Sequence, residues 1–219
     1  MVYSPLFWIS DIFYYMKEKL LYRILDYGLF ALFMALLALN IIGLTLANLS
    51  YNGEFDLLDY PFSYLGMTKT LEGLSNTKAL IFYDIDMILS GTMMLLIALY
   101  FLQKEELKSN TNKAVISAIC GLGFIVAVSP DDTMHSLHVI GSATFVASLW
   151  ILSMIFLREI KNKLSKVKYY FFWSILQIPI ISYAISVFLD KPYDGFLQKF
   201  ALIGLLVTLI YSTRRLSVN

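Results

Sequence analysis

Charge is scarce in this chain. Only 15% of its 219 residues are Asp, Glu, Lys or Arg, against about 25% in ordinary soluble domains. Hydrophobic residues make up 58%, and the mean hydropathy is +0.69. So little charge excludes a soluble enzyme and a disordered tail. Basic residues are not in excess either: 17 Lys and Arg meet 16 Asp and Glu. No surplus remains to neutralise phosphates, so nucleic acid is not expected as a partner. The single Cys120 leaves no internal disulfide to form. Catalytic signatures are missing too. No Gly-x-Ser-x-Gly occurs, and the Tyr83-Asp84 pair lacks the Gly-x-Gly-Asp that an intramembrane aspartyl protease needs. No Lys lies deep in the last apolar run, as a retinal protein would require.

Long apolar runs are what the chain has. A bilayer core takes about 20 apolar residues per helix, and six runs qualify or nearly so: 27–46, 79–102, 114–129, 137–157, 169–189 and 196–212. The expected fold class is all-α, a polytopic bundle of six transmembrane helices over 27–219. Residues 1–26 read differently. Ser4-Pro5 is a helix-start signal, and Asp11, Lys17, Glu18 and Arg23 interrupt the apolar side chains that follow. That mixture suits an amphipathic helix lying in the membrane interface, or a plain cytoplasmic cap on the bundle. It does not suit a signal peptide.

Lys and Arg alternate between the loops. One side carries Lys17, Lys19 and Arg23, then Lys104, Lys108 and Lys113, then Arg158, Lys161, Lys163, Lys166 and Lys168, then Arg214 and Arg215. The other carries Lys69, Lys78, Lys191 and Lys199. The positive-inside rule then places both termini in the cytoplasm, in a multi-pass protein of the cell membrane. Most acids, and both histidines, fall on or near the opposite, outer side. The longest connection, about 47–78, holds Asn52-Gly53 and Tyr60-Pro61 and reads as a turn-rich loop. It is long enough to be functional and to fold back over the outer mouth.

The densest polar stretch runs from Ser129 to His138. Pro130 is expected to end span three, and Asp131 or Asp132 to open span four, since acids favour helix N-termini. At 100° per residue, Asp131, His135 and His138 share one face, with Ser142 beyond them. Such a set could bind zinc, with Asp84 as an alternative to Asp131, or an Asp could orient a His as a general base. The plain alternative is a capping Asp beside two wetted interfacial histidines. In span two, Asp84 and Asp86 stand one to two turns inside the outer end. Ionisable residues at that depth are usually functional or face water. If the helix opens at Ile85, both lie instead in the headgroup layer. Asn40 reads as an interhelical hydrogen-bond donor. Gln177 and Pro179 read as structural features of span five.

Four features recur together: Ser63-Tyr64-Leu65-Gly66 before span two, Phe82 with Gly91 in its first half, the acidic loop into His135, and Gly195-Phe196-Leu197-Gln198-Lys199 opening the last span. In this order, over about 27–215, they resemble a six-span prokaryotic membrane family catalogued as a domain of unknown function. They resemble, more distantly, the DRAM-like multispan proteins. That family tends to have an acid where Tyr64 stands and Glu-Arg where Gln198-Lys199 stand. The resemblance implies no activity. The alkaline-ceramidase and adiponectin-receptor hydrolases are less similar: they have seven spans and a late His-x-x-x-His, which is absent here.

Two functions follow as expectations. The first is binding without catalysis and without a cofactor. An outer polar pocket of Ser63, Asp84, Asp86, Asp131, His135 and His138, with Lys199 as counter-charge, would hold a membrane lipid headgroup or a partner protein's segment. The second is a zinc-dependent lipid hydrolase with the metal on His135, His138 and Asp131, lowering the pKa of bound water to about 7. Ion-coupled transport ranks below both, for want of an evident relay.

Overall fold

The structure is a computed structural model that describes residues 28–103, 110–189 and 193–217. The interfacial helix expected over 1–26 lies outside the described residues. Six α-helices occur among the described residues: α1 Gly28–Leu49, α2 Thr77–Gln103, α3 Asn110–Val126, α4 His135–Glu159, α5 Lys166–Phe188 and α6 Asp194–Ser217. No strand is present among the described residues; one isolated bridge pairs Lys69 with Ser75. Five helices are long and apolar enough to cross a membrane. The sixth, α3, has 17 residues, about 25 Å of rise.

Helix α3 packs between α2 and α4, α1 lies against α2 and α6, and α4 also meets α6. These five close a ring around Phe33, Met94, Phe101, Leu152, Phe156 and Leu205. Helix α5 rides outside, chiefly on α6, and buries only Leu176, Gln177 and Ser186. Close approach depends on small residues. A Cβ on Gly91 would stand 2.7 Å from the Gly121 carbonyl, and one on Gly121 would stand 2.7 Å from the Gly91 carbonyl. Gly123 faces the Phe145 backbone in the same way. The outward faces are apolar: Ile41, Ile140, Ile178 and Ile203 each expose more than half their surface. A water-facing surface rarely carries so much contiguous apolar area.

Each helix after the first begins before the apolar stretch that announced it, because a polar first turn can still be helical. Helix α2 opens at Thr77, and α3 opens at Asn110. The boundary between spans three and four needs a larger correction. Pro130 does not mark the end of α3, and neither Asp131 nor Asp132 opens α4. Helix α3 stops at Val126, turns follow, and α4 opens at His135. Residue 129 precedes a proline, which disfavours helical backbone there. The Thr133 and Met134 N–H groups then donate to the Pro130 carbonyl at 3.3 and 2.8 Å. Asp131 and Asp132 are thereby held in a turn.

Candidate functional site

The expected outer loop becomes a fastened cap over one end of the bundle. Its first anchor is Asn76, buried immediately before α2, whose amide donates to the Leu65 and Met67 carbonyls at 3.2 and 3.0 Å. Its second is Asp132 in the α3–α4 turn. That carboxylate accepts from the Thr68 N–H at 3.0 Å, the Thr68 hydroxyl at 2.5 Å and the Lys69 N–H at 3.1 Å. Partial burial pushes the Asp132 carboxyl up, but these donors together outweigh it and hold the group below its ordinary value. Its third is the start of α6. Gln198 Oε1 accepts from the Phe62 N–H at 2.8 Å, and its amide donates to the Tyr183 hydroxyl at 3.2 Å. Lys199 donates to the Tyr60 and Gly195 carbonyls at 2.6 and 3.0 Å and stands over the Phe62 ring. Gly195 touches the Asp59 carbonyl so closely that no Cβ fits.

The segments around Ser63–Gly66 and Gly195–Lys199 therefore meet, through side chain to backbone contacts. Lys199, expected as a counter-charge in a polar pocket, binds cap carbonyls and lies within electrostatic reach of Asp56, Asp194 and Asp59. Ser63 sits half-buried in a 3-10 turn, Phe62–Gly66. Asn76 was not singled out by sequence reasoning, and Asp132 was named only as a residue that could open span four. Asn76 carried a usable signal, since Asn immediately before a helix is a favoured capping residue.

Asp131 and His135 come together. The Asp131 side chain is 13% exposed and its Oδ1 lies 2.7 Å from Nδ1 of His135, which is 74% exposed. His138 does not join them. It is buried, with Nδ1 2.8 Å from the Ser129 carbonyl and Nε2 3.3 Å from the Ser142 hydroxyl. A carbonyl only accepts, so Nδ1 carries the proton and the Ser142 hydroxyl donates to Nε2. Both ring nitrogens are committed, and the ring packs near Tyr83 at 6.4 Å. Since α4 opens at His135, the helical arithmetic does not run from Asp131 through His138. His135 faces out and His138 faces in. Among the described residues, no three His, Cys, Asp or Glu side chains gather as a metal ion requires.

Helix α2 begins well before Ile85, so Asp84 and Asp86 lie within it, about 11 and 14 Å along from Thr77. Asp86 is 1% exposed. Its Oδ1 accepts from the Ser90 hydroxyl at 3.4 Å, and Ser90 accepts from the Asn40 amide of α1 at 2.9 Å. Gly43 makes the room: a Cβ there would lie 2.5 Å from Asp86. One oxygen of each carboxyl, Asp84 Oδ1 and Asp86 Oδ2, is buried without a hydrogen-bond partner among the described residues. The two acids are thus not part of the Asp131–His135 pair.

The cap also carries an aromatic chain. Tyr51, Phe55, Tyr60 and Tyr64 contact one another in sequence, ring centroids 5.2 to 5.8 Å apart. Asp131 and Asp194 both lie within electrostatic reach of the Tyr64 and Tyr183 hydroxyls. Burial, then the charges of Asp194 and Asp131, push the Tyr64 phenol above its ordinary value.

At the opposite end, Lys113 was grouped with the loop charges but is 1% exposed. It pairs with Glu159 at 2.6 Å, between the rings of Phe101 and Phe156, each 5.8 Å away. A cavity of about 80 Å³ adjoins it, lined in part by Leu29, Tyr100 and Leu216.

No curated protein and no solved structure matches the chain. A family model described as "Protein of unknown function (DUF998)" matches residues 29–214, nearly the whole of the helical bundle. The chain therefore belongs to the DUF998 family, whose function is unknown.

Proposed function

We propose that this protein crosses the membrane six times with both termini in the cytoplasm, and that its capped end is a recognition surface for an amine-bearing lipid headgroup. The positive-inside count of basic residues supports the orientation. The observation that carries the ligand class is an acidic cluster at the cap, in which Asp131 pairs only with His135 among the described residues and Asp194 lies within electrostatic reach of Lys199. Among the described residues, Asp131 and Asp194 approach Tyr64 from two different elements, and neither forms an ion pair with a Lys or Arg. Lys199 donates to carbonyls and acts on Asp194 from there. An ammonium group adds a positive charge beside Asp131. Tyrosine faces attract cations as well.

His135 adds direction. In the neutral ring, Nδ1–H donates to Asp131, and Nε2 is then an acceptor on an exposed ring. An ethanolamine ammonium donates to that nitrogen while lying near the Asp131 charge.

Calorimetric titration of the detergent-solubilised protein with dihexanoyl phosphatidylethanolamine and dihexanoyl phosphatidylglycerol tests this reading. The ethanolamine lipid is expected to bind tighter. Asp131→Asn and His135→Ala are each expected to weaken it about tenfold, as loss of one charge-assisted contact implies. Equal binding of the two lipids, or unchanged binding by both variants, refutes it.

A further inference from the structure

The link between α4 and α5 lies at the other end of the bundle and builds a second site. From Arg158 to Lys168 the chain carries five bases, and no acid occurs between residues 160 and 189. Glu159, the adjacent acid, is committed to Lys113. The link is short: a 3-10 turn, Lys161–Lys163, follows α4, and the Ser165 hydroxyl caps α5 by accepting from the Lys168 N–H at 3.4 Å. The turn folds the two sides of the link around a cavity of about 410 Å³, lined by Lys161, Asn162, Leu164, Lys166, Tyr169 and Tyr170. Lys161 lies over the Tyr169 ring at 5.4 Å, which positions its ammonium. The surface next to this cavity is apolar. Val167 is 81% exposed, Tyr170 62% and Phe171 59%.

We propose that this cavity is a headgroup site for an anionic phospholipid of the leaflet at the terminal end, with its phosphate between Lys161 and Lys166. The charge argument is direct: among the described residues, the cavity lining offers two ammonium groups and no acid. The placement argument is independent of it. The site stands where two membrane-length helices end, with the aromatic girdle of α5 beside it. Tyr and Trp side chains favour this headgroup level, and the exposed Val167 and Phe171 meet the lipid's acyl region. Juxtamembrane bases of this kind attract anionic lipids by about 1 kcal/mol each. The inference rests on the chain crossing a bilayer. It does not rest on the amine reading of the capped end.

Native mass spectrometry of the delipidated full-length protein, given equimolar phosphatidylglycerol and phosphatidylcholine, tests it. Wild type is expected to retain phosphatidylglycerol preferentially. K161A/K166A is expected to lose about thirtyfold of that preference, as removal of two such charges implies. K161R/K166R should keep it and shows that the site tolerates substitution. R214A/R215A, at the same end but outside the cavity, should keep it too. No preference in wild type overturns the proposal. So does a loss below about threefold in K161A/K166A. So does inorganic phosphate in large excess displacing the lipid while both lipids bind equally well without it, since the site would then recognise free phosphate.

Discussion

Asp132→Ala should open the cap without unfolding the bundle. The carboxylate accepts three hydrogen bonds, two of them from the Thr68 and Lys69 backbone. Bonds to a charged acceptor contribute about 1.5–3 kcal/mol each in buried settings. Asp132 itself is exposed, and water screening reduces such contributions severalfold. About 2 kcal/mol in total is a reasonable sum for the three, equivalent to about a thirtyfold rise in the open population of this segment. Hydrogen exchange reads it residue by residue. The Thr68 and Lys69 amides should exchange about thirtyfold faster. The Thr70 amide, bonded within the loop to the Leu74 carbonyl at 2.8 Å, should change far less, and amides of α2 and α4 not at all. The pH dependence has a definite sign. The folded value of Asp132 is depressed, so the carboxylate's stabilisation is fully present above the ordinary aspartate value of about 3.9. It is lost as pH falls through the lower folded value. After correction for intrinsic rates, wild type at that acidity should resemble the variant. Unchanged protection of Thr68 and Lys69 in Asp132→Ala would refute the reasoning, as would acceleration spread evenly over the bundle.

Two further outcomes concern packing. Gly195→Ala should dislodge the cap from α6, because the new methyl overlaps the Asp59 carbonyl; overpacking of this kind costs about 1–3 kcal/mol. Limited proteolysis within residues 50–76 should then accelerate, and wild-type resistance would contradict the contact. Lys113→Ala should destabilise the detergent-solubilised protein by about 3 kcal/mol, since it leaves Glu159 largely buried and unpaired. The double variant K113M/E159Q should recover most of that loss in a denaturant titration, and a double variant no more stable than the single would show that the charge pair is not the cause.

Much of the architecture was legible because it is local. An apolar run of membrane length forms a helix wherever it lies, so all six helices were found, with ends shifted by a few residues. Asn40 was readable as an interhelical donor for a related reason: an amide within an apolar helix requires a partner, and Ser90 supplies it. The loop rich in turn residues duly ran across one end of the bundle. What escaped the sequence was facing and partnership. Lys113 looked like one more loop charge, yet α4 brings Glu159 to it and two phenylalanines close over it. His138 looked like a neighbour of His135, yet its place on α4 turns its ring inward to Ser129 and Ser142 while His135 stays in solvent. Lys199 looked like a counter-charge, and what the sequence did not show is that its ammonium is also held by cap carbonyls. Hydropathy along a chain records how much of a segment is apolar. Which side chain meets which depends on the angle at which another helix or loop arrives, and that angle is set by the packing of residues distant in sequence.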